Sequence, residues 1–257
     1  MRVATPSFRG AVLAAIASLS AVAASAAPAP TVASLQAQVN ALQAKYDRLE
    51  DKNQIEKLQR AYGYYLDKQL WSECAALFSD TGSVEIAQRG VYRGRKSIDT
   101  FFTQVMGHGS EGLKKDHIFN HLILQGIVDV DPDGKHARGR WRALQWVVTL
   151  GQRAIFAEGP YENTYVKENG VWKIQSMHYF DSYHVTEANG FTKDPISPSG
   201  QAAAFPPDEQ PSVVYDNYPG VYIPPFHYPN PVSGRVWTEA ETKAHSTVGV
   251  SGPPQAH

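Results

Sequence analysis

There is one cysteine, Cys74, so no intramolecular disulfide can form. The sequence has no Cys-x-x-Cys, no His-Glu-x-x-His and no Cys/His cluster, which removes the usual zinc and redox signatures. Cys74 sits among Ala75, Ala76, Leu77 and Phe78 and reads as a buried, inert thiol. Neither sign of charge dominates: 24 Lys and Arg stand against 25 Asp and Glu, mixed along the sequence, for a net charge of −1. That balance argues against a nucleic-acid surface. No apolar run is long enough to span a bilayer as a stable helix.

What is present begins with a leader. Arg2 and Arg9, the apolar run GAVLAAIASLSAV and the small residues Ala24-Ser25-Ala26 read as a signal peptide over 1–26, cleaved near Ala26. The alternative is an uncleaved anchor. Cleavage implies an exported protein, periplasmic in a Gram-negative source, with no stable membrane insertion afterwards. Residues 27–52 read as a helical linker. Leu35, Val39, Leu42, Tyr46 and Leu49 alternate in heptad fashion, a short coiled coil with a phase slip expected near Asn53. It is either an oligomerisation helix or a spacer.

The compact domain is expected over 53–185, about 130 residues, enough for one core. Its first stretch, Ile55 to Phe78, places Ile55, Leu58, Tyr62, Tyr65 and Leu66 at helical spacing, breaks at Asp67, and restarts near Trp71. Two Tyr hydroxyls on a buried face need polar partners, which points to a polar pocket in an apolar shell. A strand over Ser83–Ala87, a turn at Arg89-Gly90 and a helix over Lys96–Met106 follow. Four strand-like runs come next: His117–Val130, His136–Leu150, Arg153–Lys167 and Val171–His184. Asp133-Gly134 and Asn169-Gly170 mark hairpins between them. Helices followed by an antiparallel meander give an α+β fold.

Residues 186–257 hold 12 of the 17 prolines, interleaved with aromatics. Proline at that density argues against helices and central strands. The aromatics argue against plain disorder. Tyr215–Pro231 is expected to be extended and packed on the domain, as a lid or a structural strap.

The order of elements resembles the SnoaL-like branch of the nuclear transport factor 2-like superfamily. The residues that carry the resemblance are IxxLxxxYxxxLD followed by Trp71 and Leu77-Phe78, and Tyr92-Arg93-Gly94-Arg95 before a helix. His117-x-x-Asn120 opening a strand, Asp133-Gly134, Gly159-x-Tyr161-x-Asn163 and Asn169-Gly170-x-Trp172-Lys173-Ile174 complete them. The resemblance implies a conical α+β barrel: three helices packed on a curved sheet around a deep apolar pocket. Members include polyketide cyclases, scytalone dehydratase, ketosteroid isomerase, bile-acid dehydratases, lyases of lignin-derived dimers and non-catalytic binding modules. Fold alone does not choose among them.

By that resemblance Asp67 matches the dehydratase aspartate and His117 one of its two histidines. A carboxylate accepting the His117 Nδ1 proton would leave Nε2 as the working group. Tyr62 and Tyr65 would donate to a substrate oxygen. The second dehydratase histidine would fall near Arg140–Arg142, where none is present, and His178 is expected to substitute. Period-two alternation would turn Trp172, Ile174, Ser176, His178 and Phe180 into the pocket. Asn120, Trp71, Trp172 and His178 complete the expected substrate contacts. His121 shares the parity of His117, but no metal is expected. Arg138, Arg140 and Arg142 are expected on the outer sheet face.

The function this implies is a cofactor-independent lyase of the dehydratase or formaldehyde-eliminating type. Its substrate would be a hydroxylated, largely apolar aromatic molecule, and the protein a dimer or trimer. The alternatives are an exported ligand-binding module without turnover, or an isomerase or cyclase.

Overall fold

A computed structural model describes residues 30–193 and 195–247, so the expected leader lies outside the described residues. The protein divides into two compact units, 1–42 and 43–257. In the first, the described residues form the start of a helix on which Leu35, Val39 and Leu42 are exposed.

No break in the helix accompanies the phase slip expected near Asn53. Helix α1 is continuous over Val32–Asp67, and within it Ile55, Gln59, Tyr62, Gly63 and Leu66 are buried along one stripe. Packing of this helix begins before residue 53. The buried Asp51 accepts the Trp172 indole N–H at 2.9 Å and pairs with Lys167 at 2.6 Å. After α1 come α2 (Trp71–Ala76), β1 (Phe78–Ile86), β2 (Val91–Arg93) and α3 (Gly94–Thr100). A π-helical segment, Phe101–Met106, continues α3. Strands β3 (His117–Val130), β4 (His136–Thr149), β5 (Arg153–Glu168), β6 (Val171–Tyr179) and β7 (Tyr183–Thr186) follow. The last expected run is therefore two strands, interrupted at Phe180–Ser182.

The sheet order is β2-β1-β6-β5-β4-β3, with β7 paired to β5. All pairings are antiparallel except β1 with β6, which makes the sheet mixed. The helices pack on one face of this open, curved sheet. A buried polar network pins α1 to it. Gln59 Oε1 accepts from Tyr165 Oη at 2.8 Å and from Asn163 Nδ2 at 3.0 Å, and Tyr165 Oη accepts from the Trp141 indole at 2.8 Å. Each such bond contributes on the order of 1 kcal/mol, and more would be lost if one partner were left unsatisfied. Gly63 lets α1 approach β3 closely, because a Cβ there would stand 2.8 Å from Ile123 Cγ1.

One irregularity decides which residues face inward. On the β5–β6 ladder Thr164 faces Ser176 and Tyr165 faces Ile174, so Gln175 is a bulge residue. Period-two alternation therefore breaks once along β6. Trp172 and Ile174 point inward before the bulge, and Met177 and Tyr179 after it.

The segment after β7 is extended for the most part and packs on its own domain. Tyr215 is 1% exposed and stacks on Tyr222 at 4.5 Å between ring centroids. Its carbonyl accepts from Gln88 Nε2 at 2.5 Å. On the outer sheet face Arg140 pairs with Glu162, donates to the Pro225 carbonyl at 2.9 Å and lies over the Phe226 ring. The expectation of no helix after residue 186 is corrected. A short turn, α4 (Gly190–Lys193), and a capped helix, α5 (Glu239–His245), both occur, each in a stretch without proline. Thr238 and Glu241 form a reciprocal capping box that starts α5.

Candidate functional site

A cavity of about 180 Å³ lies between the helices and the inward face of the sheet. Helix α1 supplies Tyr62 and Leu66, and the π-helical segment supplies Phe101, Phe102 and Met106. The sheet supplies the polar groups. His121, Gln145, Ala157 and His184 are successive neighbours on β3, β4, β5 and β7, so they form one row across the floor. Tyr161 and Tyr179 face each other on β5 and β6, their rings 5.0 Å apart. The β1–β2 turn adds Arg89, and the crossing after β6 adds Asp181. Ile196 and Ser199, beyond β7, close the wall.

The electrostatics of these groups differ from those of an ordinary core. Burial pushes the His121 imidazole down to about 3, and its bond to the Gln145 side chain only partly opposes this. The ring is therefore neutral at physiological pH, and its Nδ1 has no hydrogen-bond partner among the described residues. Burial pushes the Tyr62, Tyr161 and Tyr179 hydroxyls up, so all three remain protonated donors. Tyr62 and Tyr161 share a hydrogen bond. His184 Nδ1 lies 3.7 Å from Asp181 Oδ2. Asp181 is itself held by Asn217 Nδ2 at 3.3 Å and by its own backbone N–H, which donates to Tyr215 Oη at 2.7 Å.

Six buried side-chain atoms have no hydrogen-bond partner among the described residues. Three of them, His121 Nδ1, Tyr179 Oη and Asp181 Oδ1, belong to residues lining this one cavity. Buried polar atoms are nearly always satisfied, so three unsatisfied ones among the residues of one cavity make it the candidate ligand site.

Not every residue singled out by sequence reaches the cavity. Tyr62 is in its wall. Tyr65 packs beside the core and does not line the cavity. Asp67 and His117 form no ion pair among the described residues. Asp67 Oδ1 accepts the backbone N–H of His121 at 2.5 Å instead, and the His117 ring bonds the Lys115 carbonyl at 2.8 Å. Burial raises the Asp67 carboxyl, with the His121 N–H acting in the opposite sense. His117 and Trp71 line an adjoining cleft of about 270 Å³ that shares Phe119 and Arg153 with the cavity. Trp71 also meets Phe119 edge to face at 5.8 Å.

Asn120 is exposed, since it has the opposite parity to Phe119 and His121. Trp172 is core, tied to Asp51. The bulge at Gln175 turns His178 away from the cavity. It stacks on Phe180 at 3.8 Å, with Nδ1 3.6 Å from Glu85. Arg138, Arg140 and Arg142 pair with Asp131, Glu162 and Glu158. Among the described residues no group of three or more His, Cys, Asp or Glu could hold a metal ion.

Sequence reasoning did not single out Arg89, Asp181 or His184, and weighed His121 only as a metal partner of His117. The signal for His121 was parity: it shares a face with Phe119 two residues earlier. Asp181 and His184 carried no such signal, because the strand break that places them is not periodic.

A model of the SnoaL-like domain matches residues 47–178, half of the sequence. No curated protein matches. Among solved structures the protein is similar to that of LinA, at 18% identity and a TM-score of 0.50, covering 56% of this chain and 95% of that one. It is also similar to a hexachlorocyclohexane dehydrochlorinase LinA-type3 from Novosphingobium barchaimii, at 19% identity and a TM-score of 0.49, over 56% and 94%. A putative scytalone dehydratase from Novosphingobium aromaticivorans aligns at 21% identity and a TM-score of 0.47, over 55% and 90%. Identities this low speak to fold alone. With helices on a curved mixed sheet, a cavity between them and a family match across both, the protein belongs to the SnoaL-like domain family.

Proposed function

We propose that this protein is a cofactor-independent lyase that eliminates water from a hydroxylated, single-ring phenolic substrate. The observation that carries the reading is that three unpartnered polar atoms belong to residues lining one largely apolar cavity. An apolar cavity of about 150 Å³ holds a benzene ring, so about 180 Å³ suits one substituted ring.

An elimination needs a base, an acid and a place for electrons to go. His121 is neutral with a free Nδ1, the protonation state a proton acceptor needs. His184, beside Asp181, is placed at the other end of the same row. Three strand spacings separate the two backbones, roughly 14 Å before curvature and side-chain reach shorten the gap. That separation fits transfer across a ring rather than at adjacent carbons. His121 takes the para-hydroxyl proton, and the oxygen lone pair moves through the ring to the benzylic carbon. The C–O bond breaks, and the leaving hydroxyl takes a proton from His184 and departs as water. Neutral His184 then removes a proton from the carbon next to the benzylic position, while protonated His121 returns its proton to the oxygen. The sum is loss of one water and formation of one C=C bond. Tyr62, Tyr161 and Tyr179 donate to oxygens whose charge grows on the way. Where the carbon next to the benzylic position bears a hydroxymethyl group, neutral His184 takes that hydroxyl proton instead, the C–C bond breaks to release formaldehyde, and its electron pair forms the C=C bond, so that water and formaldehyde are both lost.

The test is incubation of the purified protein with a panel of para-hydroxyphenyl alcohols and diols, read by product mass. Loss of water, accompanied by formaldehyde where a hydroxymethyl group is present, is expected, and it should disappear in both His121→Gln and His184→Gln. Unchanged masses across the panel, or turnover indifferent to both substitutions, would refute the proposal. Export and assembly as a dimer or trimer are proposed alongside it, and fractionation and light scattering test them.

A further inference from the structure

Ten arginines occur among the described residues, and seven of them pair with a carboxylate within 4.0 Å. Two of the remaining three, Arg89 and Arg153, line the same cavity. Neither guanidinium makes a hydrogen bond to another described residue. Both also line the mouth, a cleft of about 400 Å³ whose wall includes His108 and has no Asp or Glu among its described residues. Inside the cavity the one carboxylate is Asp181, which is close enough to act on Arg89 electrostatically but not to pair with it. Two arginines against one aspartate give the lining an excess of positive charge in a largely apolar space.

Arg89 is held in place by its surroundings. It lies in the β1–β2 turn, which the segment beyond β7 clamps. Gln88 N–H donates to the Ser199 carbonyl at 3.0 Å and Val91 N–H to the Glu209 carbonyl at 3.0 Å. Gly90, at φ +86°, has no room for a side chain, because a Cβ would meet Pro207 at 2.5 Å. Burial disfavours the Arg89 charge, and Asp181 offsets part of that cost. A buried guanidinium with five donors and no hydrogen-bonded partner is suited to a planar anion, which it can grip with two parallel bonds.

We propose that the substrate is an aromatic carboxylate, with its carboxyl group bound by Arg89 inside the cavity after capture by Arg153 at the mouth. This rests on the cavity being the substrate site and narrows the substrate class of the proposed reaction.

The experiment is calorimetric titration of the full-length protein with para-coumarate and with its amide, which match in shape and differ in charge. The acid is expected to bind about tenfold more tightly, the margin of a charge-assisted bond over a neutral one. Arg89→Gln should abolish the preference, and Arg153→Gln should weaken it. Equal affinities, a preference for the amide, no binding of either, or a preference intact in both folded variants would overturn the proposal. The comparison on the unmodified protein needs no variant to fold. Acid preference without turnover in any panel would sink the lyase reading alone. Turnover of neutral alcohols without acid preference would sink this proposal alone.

Discussion

The Asp67 carboxylate accepts the backbone N–H of His121 at 2.5 Å, so the end of α1 fixes where β3 presents its imidazole. Asp67 is thus a positioning residue. Asp67→Ala should leave that N–H unsatisfied and lower stability by about 1–3 kcal/mol. Asp67→Asn keeps an acceptor and should recover most of the loss. Urea unfolding of the three proteins checks this, and equal midpoints for Ala and Asn would contradict it.

Removal of a proton-transfer group typically costs about two to four orders of magnitude in rate. His121→Gln and His184→Gln should each lose kcat to that extent, with KM changing little. The double variant should be far less than additive, because the two groups serve one reaction. Steady-state rates on whichever panel substrate turns over provide the check.

Acid should unfold the protein partly through His121. Its folded-state value, about 3, lies below the unfolded value of about 6.5. The unfolded state therefore binds the extra proton first. Stability is full above about pH 6.5 and is lost as pH falls toward 3, at about 1.4 kcal/mol for each unit of depression. The raised Asp67 carboxyl acts in the opposite sense, so the difference between variants is the useful measure. His121→Gln should flatten the fall in stability between pH 6.5 and 4, read by chemical denaturation at several pH values. An unchanged slope would mean that His121 is not buried as described.

Gly159 sits where the Phe180 crossing passes over β5, and a Cβ there would stand 1.9 Å from the Phe180 carbonyl oxygen. Backbone does not yield as side groups do. Gly159→Ala should therefore cost more than the 1–3 kcal/mol usual for overpacking, while Gly63→Ala, which meets a movable Ile123 side chain, should stay within it. Thermal melts of both variants give the comparison.

Removal of residues beyond 193 should unfold the domain rather than merely weaken binding. Tyr215 and Asn217 are buried, and both hold Asp181. Circular dichroism of the truncated protein decides between strap and lid. A folded truncation with weaker ligand binding would restore the lid.

Periodic elements were legible in the sequence because burial on one face writes a period into it. The break at Asp67, the restart at Trp71 and the bounds of β3 follow that rule, as does Tyr62 on the inner face of α1. The pairing expected for Asp67 failed for a geometric reason. Position in a family motif located the carboxylate, but only the β3 register shows that it reaches the His121 backbone and not the His117 ring. Arg89, Asp181 and His184 were illegible because turns, crossings and a four-residue strand carry no period. The groups that hold the turn and the crossing, Ser199 on Gln88 and Asn217 and Tyr215 on Asp181, lie far along the sequence. The parity expected for His178 was lost to a single inserted residue.

That bulge has a consequence for how the strand can change. Gln175 is the residue that the ladder skips, so its deletion would leave strict alternation along β6 with Met177 and Tyr179 still on the inner face. Closing the bulge with every residue kept would instead carry His178 and Phe180 inward. The phenol that Tyr179 presents to the cavity therefore depends on a kink of the backbone, and a slip of register by one residue, with no amino acid substituted, would exchange the whole face.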